Sequence, residues 1–136
     1  QSLPMRRGEA YDANFSAPAK LLEQGVRFCI ASGDSAASER NLPYQAAAAV
    51  PFGLPKEDAL KAVTLYAAQI LGVEERLGSL DAGKDATLIV TDGDPLEIST
   101  QLEAAYVHGR KLDLSTRHTR LNEKYREKYG GDMNGK

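Results

Sequence analysis

The stretch from Gly25 to Asn41, GVRFCIASGDSAASERN, restricts this chain more than any other. Its apolar run, Val26 to Ala31, is too short for an ordinary helix. It alternates Val26, Phe28 and Ile30 with Arg27, Cys29 and Ala31, and it breaks at the small residues Ser32 and Gly33. This is the pattern of a buried strand that delivers one acid, Asp34, to an open end. Parallel α/β folds place ligands and catalytic groups just beyond the carboxyl ends of their strands. Local pattern alone leaves a second reading open, an aspartate that caps a turn.

The flanks read as helices. Gln1 to Asn14 carries Pro4, Gly8 and four charges without an apolar period and reads as an irregular lead-in, suggesting a cut within a longer protein. Ser16 can cap a helix with Pro18 in its first turn, ended by Gly25. A helix, a short connection and a strand make an αβ step. Beyond the acidic loop, Asn41 can cap an alanine-rich helix with Pro43 in its first turn, closed by Pro51 and Gly53. Pro55 opens another, with Glu57 and Asp58 at the positive end of its dipole and Leu60, Val63, Ala67 and Ile70 with Leu71 as its core face, stopped by Gly72.

The composition changes at Val73. Turn formers over Leu77 to Ala86 lead into a β run, Thr87 to Thr91, and Asp92-Gly93-Asp94-Pro95 signals a turn. Leu102 to Val107 and Arg110 to Leu112 read as a hairpin joined at His108-Gly109. Ser115 or Thr116 can cap a last helix with Leu121, Tyr125 and Tyr129 along one side. The expected organisation is residues 1–72 as an irregular lead-in, helix, strand and two helices, 73–115 as a small sheet, 116–131 as a helix and 132–136 as a frayed tail.

Composition excludes several functions. With 42% hydrophobic and 26% charged residues and a net charge of -2, the chain reads as soluble and globular, with no global basic field for nucleic acid. No apolar run reaches the roughly 20 residues of a membrane helix. One cysteine, Cys29, excludes an internal disulfide, reads as a small buried thiol inside the strand rather than a nucleophile, and leaves the compartment open, cytoplasmic or exported. Gly78 to Lys84 fits half of a phosphate-binding loop, but Asp85 stands where Ser or Thr is needed and a strand follows, so a tight turn is the better account. His108 and His118 have no partner at metal-ligand spacing, and the basic residues after Thr116 are interleaved with Glu123 and Glu127, as on a solvated helix. No G-x-S-x-G elbow is present.

Three stretches together resemble the carboxyl-terminal part of the amidohydrolase superfamily, in particular its imidazolonepropionase-like and prolidase-like branch. They are GVRFCIASGD (Gly25 to Asp34), Asn41 to Glu97, and YVHGRKLDLSTRHTRLNEKY (Tyr106 to Tyr125); the run G-S-L-x-x-G-K-D-A, a β run and D-G-D-P is the most distinctive. The resemblance implies an α/β fold: the carboxyl-terminal segment of a TIM-type (β/α)8 barrel, with Val26 to Ala31 as the eighth strand, plus part of a small β-sandwich.

It also implies a role for Asp34 as ligand to a divalent metal, usually zinc, and as the proton shuttle in hydrolysis of a C–N bond in a small-molecule or peptide-like substrate. Only Asp34 carries over from the family's site. A catalytic zinc takes about three protein ligands, so this segment alone is expected to be inactive and to hold no metal tightly. Ser35 to Arg40 is a candidate rim of the pocket, with Arg40 a candidate anion contact. A barrel strand without its neighbours is expected to self-associate, rearrange, or leave a core built by the helices and hairpin. The alternative from another class is a non-catalytic scaffold of the same fold that binds or assembles.

Overall fold

The computed structural model describes residues 8–33 and 36–129. Helix α1 (Ala13–Glu23) is followed by a 3-10 turn (Ala36–Asn41), α2 (Leu42–Ala47), a second 3-10 turn (Val50–Phe52), α3 (Lys56–Ala62) and α4 (Leu65–Leu71). Strands β1 (Leu88–Thr91), β2 (Leu102–Val107) and β3 (Arg110–Lys111) form an antiparallel sheet in that order, and α5 (Arg117–Tyr129) comes last. No helix among the described residues is long and apolar enough to cross a membrane.

Helix α1 begins three residues before the expected cap. The Asp12 carbonyl already accepts the N–H groups of Phe15 and Ser16, and Ser16 and Pro18 are interior, buried positions. Packing overrides the proline's preference for a first turn. The end is as read: Gly25 takes φ +65, its N–H bonds the Leu22 carbonyl, and the Val26 N–H bonds the Leu21 carbonyl. That pair of bonds is a Schellman stop, which a left-handed glycine permits.

The expected strand is the main correction. Val26 to Ala31 lies in neither helix nor strand, because no strand among the described residues runs beside it and a ladder needs two members. Its alternation survives only in part, since Val26 is 48% exposed and Cys29 is exposed rather than buried. Phe28 and Ile30 pack on the core while Arg27, Cys29 and Ala31 stay exposed. Phe28 meets Tyr66 edge-on at 6.2 Å, and the Ile30 N–H donates to the Ala62 carbonyl at 3.1 Å.

The single helix expected from Pro55 to Gly72 is two. Thr64 leaves helical geometry (φ -130, ψ -91) while its hydroxyl takes the Leu60 carbonyl at 2.8 Å, so a β-branched pair, Val63-Thr64, interrupts the ladder. The expected apolar face is also displaced. Ala59, Ala62 and Ala68 are buried, whereas Leu60 and Ile70 are 38% and 48% exposed. Alanines let the helices approach closely, which keeps the larger side chains at the rim. The Tyr66 hydroxyl donates to Asp58 and ties α4 to α3.

The core consists of Ala19, Ala46, Ala49, Leu54, Ala59 and Leu96, with Leu22, Phe28, Ile30, Val50 and Val63 packed around it. Phe15 stacks on Phe52 at 5.1 Å. Leu96 comes from the turn after β1, so the sheet segment reaches into the helical core. Lys56 at the start of α3 pairs with Asp94 in that turn and lies 3.6 Å from Glu97.

The Lys56 ammonium, together with the Leu96 N–H, holds the Asp94 carboxyl below its ordinary value of 3.8. A depressed carboxylate stabilises the fold above its unfolded pKa, and that contribution disappears as the pH falls through the folded value. Urea midpoints measured between pH 7 and pH 3 are therefore expected to drop at the acid end, and Asp94→Asn is expected to flatten part of that drop while lowering stability at neutral pH.

The sheet follows its reading closely. Leu88 pairs with Tyr106, Ile89 with Ala105 and Val90 with Ala104, before a bulge that pairs Thr91 with Leu102. His108 (φ 48) and Gly109 (φ 74) are both left-handed, as a two-residue hairpin loop between twisted strands requires. Among the described residues the sheet is a single layer, so the three strands do not by themselves make a sandwich. The Thr116 hydroxyl accepts the Thr119 N–H and the Thr119 hydroxyl accepts the Thr116 N–H, a reciprocal box that starts α5. Helix α5 buries none of its residues.

Candidate functional site

The candidate site opens where the Val26 to Ala31 segment ends. Ser32 is half-buried, and Gly33 adopts a left-handed φ of +75. Asp34 and Ser35 lie outside the described residues. The next element, the 3-10 turn Ala36–Asn41, carries Glu39 and Arg40 on exposed positions and hands the chain to α2 at Leu42. On the two sides of these residues, α3 accepts the Ile30 N–H and α2 packs on α3.

The other candidate groups have structural roles. Lys84 donates to the Ser79 hydroxyl at 2.6 Å and pairs with Asp81 at 3.3 Å, while Ser79 donates to Asp81. The Ser79 hydroxyl and then Lys84 hold the Asp81 carboxyl below its ordinary range. The lysine a phosphate loop would aim at its ligand is therefore spent inside its own turn. Arg76 closes that loop with a 2.7 Å bond to Asp85 and accepts the Asp85 N–H on its carbonyl. Gly78 sits so close to α4 that a Cβ there would stand 2.6 Å from the Ala68 Cβ, so glycine alone fits. His108 lies exposed in the hairpin turn, 3.4 Å from Asp85, and His118 is exposed on α5.

Among the described residues, no three His, Cys, Asp or Glu side chains converge to hold a metal ion. A cavity of about 160 Å³ opens between Leu22, Val26, Phe28, Tyr66 and Ile70. It sits at the amino end of the Val26 to Ala31 segment, away from the Asp34 end. Sequence reasoning did not foresee the contacts Lys56 to Asp94 or Asp58 to Tyr66, because each joins residues through tertiary packing that no local spacing announces.

Comparison with known proteins decides the family. The amidohydrolase family model matches residues 9–121. The chain belongs to the amidohydrolase family. Within that family it is 33% identical over 103 residues to the amidohydrolase tasK of Hapsidospora irregularis, covering 76% of this chain and 10% of that one. It is 40% identical over 96 residues to the imidazolonepropionase of Pseudomonas aeruginosa (strain UCBPP-PA14), covering 68% of this chain and 22% of that one. The crystal structure of an amidohydrolase from Thermotoga maritima MSB8 superposes with a TM-score of 0.70 at 35% identity, over 73% of this chain and 26% of the other. This amidohydrolase chain therefore spans about a quarter or less of the length of these relatives.

Proposed function

We propose that this amidohydrolase chain supplies the last acid of a metal-dependent hydrolase site, with Asp34 at the end of the eighth strand of a TIM-type barrel. The observation that carries the reading is family membership over residues 9–121, within which the alternating segment Val26 to Ala31 leads to Asp34. A carboxylate there can act as one ligand to a divalent ion such as zinc. It also accepts a proton from the attacking water as its oxygen adds to the carbonyl carbon, and gives that proton to the nitrogen as the C–N bond breaks.

The described residues do not fit a complete metal centre, since no three donors converge among them. On this reading the further ligands, about two or more for a catalytic zinc, are supplied by other strands of the barrel. The relatives named imidazolonepropionase and N-acetylglucosamine-6-phosphate deacetylase support a small-molecule substrate with a cleavable C–N bond. Calorimetric titration of the 136-residue chain with zinc, beside an amide-hydrolysis assay, tests the division of ligands. No stoichiometric binding and no turnover are expected; tight one-to-one zinc binding by this chain would refute the reading.

A further inference from the structure

The extended segment Val26 to Ala31 has two sides of opposite character. Phe28 and Ile30 pack on the core that α1, α2 and α3 build around Leu54, and Val26, on the same side, lines the cavity with Leu22 and Ile70. Arg27, Cys29 and Ala31 fall on the other side, as alternate residues of an extended chain do, and all three are exposed. The helices therefore cover one side only. In a (β/α)8 barrel the helices form the outer ring, so the side of a strand turned away from its helices is the inner wall.

We propose that Arg27, Cys29 and Ala31 form the inner wall of the barrel at its eighth strand, with Cys29 enclosed by side chains from the other strands. The inference rests on the reading of this chain as a barrel segment, and it fixes which of its residues meet the rest of the barrel. This chain spans 26% of the Thermotoga maritima chain it superposes on, and the remaining strands are the cover that such a face requires. The order of the three side chains suits that place. Arg27 stands nearest the start of the segment, at the bottom of the barrel, where its charge reaches water instead of entering a closed interior unpaired. Cys29 is small and uncharged, as a packed barrel interior demands. Ala31 comes last, at the rim just before Ser32-Gly33-Asp34. It is then the pocket wall nearest the acid on this strand, and its single methyl group leaves room for a substrate.

Labelling with a maleimide tests the assignment. In the 136-residue chain the exposed Cys29 is expected to react at the rate of a free thiol. In a complete polypeptide that carries these residues in a closed barrel, the peptide containing Cys29 is expected to label about 10²-fold or more slowly, until denaturant is added. A second variant reports which side faces inward. With Cys29→Ser as background, Ala31→Cys puts the thiol at the rim, and labelling it with a bulky maleimide is expected to abolish turnover. Rapid labelling of Cys29 in the folded complete polypeptide, or full turnover after stoichiometric labelling of the Ala31→Cys variant, would overturn the assignment. Either result can occur while Asp34→Asn still loses turnover, in which case the inner wall falls and the role of Asp34 stands. Protection of Cys29 with an inert Asp34→Asn would do the reverse.

Discussion

In a complete polypeptide that carries these residues in a closed barrel, Asp34→Asn is expected to lower kcat by about 10²- to 10⁴-fold with little change in thermal stability. The amide keeps the size of the side chain but can neither accept the proton of the attacking water nor bring a negative charge to a cation. An aspartate that only capped a turn would behave differently. Asparagine serves almost as well as a cap, and turnover would stay near that of the parent.

The largest expected effect on the fold comes from Leu54→Ala. Leu54 is 1% exposed and is the largest fully buried side chain in a core otherwise rich in alanine. The core alanines, Ala19, Ala46, Ala49 and Ala59, are too short to fill the void that the substitution leaves. The loss is expected to be about 2–5 kcal/mol, a fall in Tm on the order of 10 °C. Leu80→Ala, at a position 83% exposed, is expected to change stability by less than about 0.5 kcal/mol. Urea denaturation of both variants beside the parent chain checks the pair.

What could be read from the residues divides along the range of the interactions. The stop at Gly25, the hairpin at His108-Gly109 and the start of α5 at Thr116 are decided by a few neighbouring groups, and the structure has each of them where the residues put it. Phe28 and Ile30 face the core as an alternating run implies, but Val26 and Cys29 are exposed rather than buried, and the strand itself depends on neighbours that local pattern does not contain. The break at Val63-Thr64 and the early start of α1 were hidden for the same reason. In both places tertiary packing outweighs a local preference of modest size.

The site divides similarly. Dismissing the phosphate loop required only Asp85 and the following strand, and the Ser79, Asp81 and Lys84 contacts agree with that reading. Asp34 was singled out by its place after an apolar alternation, and family membership over residues 9–121 supports an amidohydrolase context for it. Its companions could not be found here, because a barrel site draws its groups from the ends of several strands.

Metal content measured together with turnover, for the complete polypeptide before and after Asp34→Asn, tests the central claim most directly. The account predicts that the parent polypeptide holds a divalent metal and hydrolyses a C–N bond, and that the variant stays folded while losing turnover and weakening its hold on the metal. Full turnover and unchanged metal content in the Asp34→Asn polypeptide would contradict it and return Asp34 to the role of a turn residue.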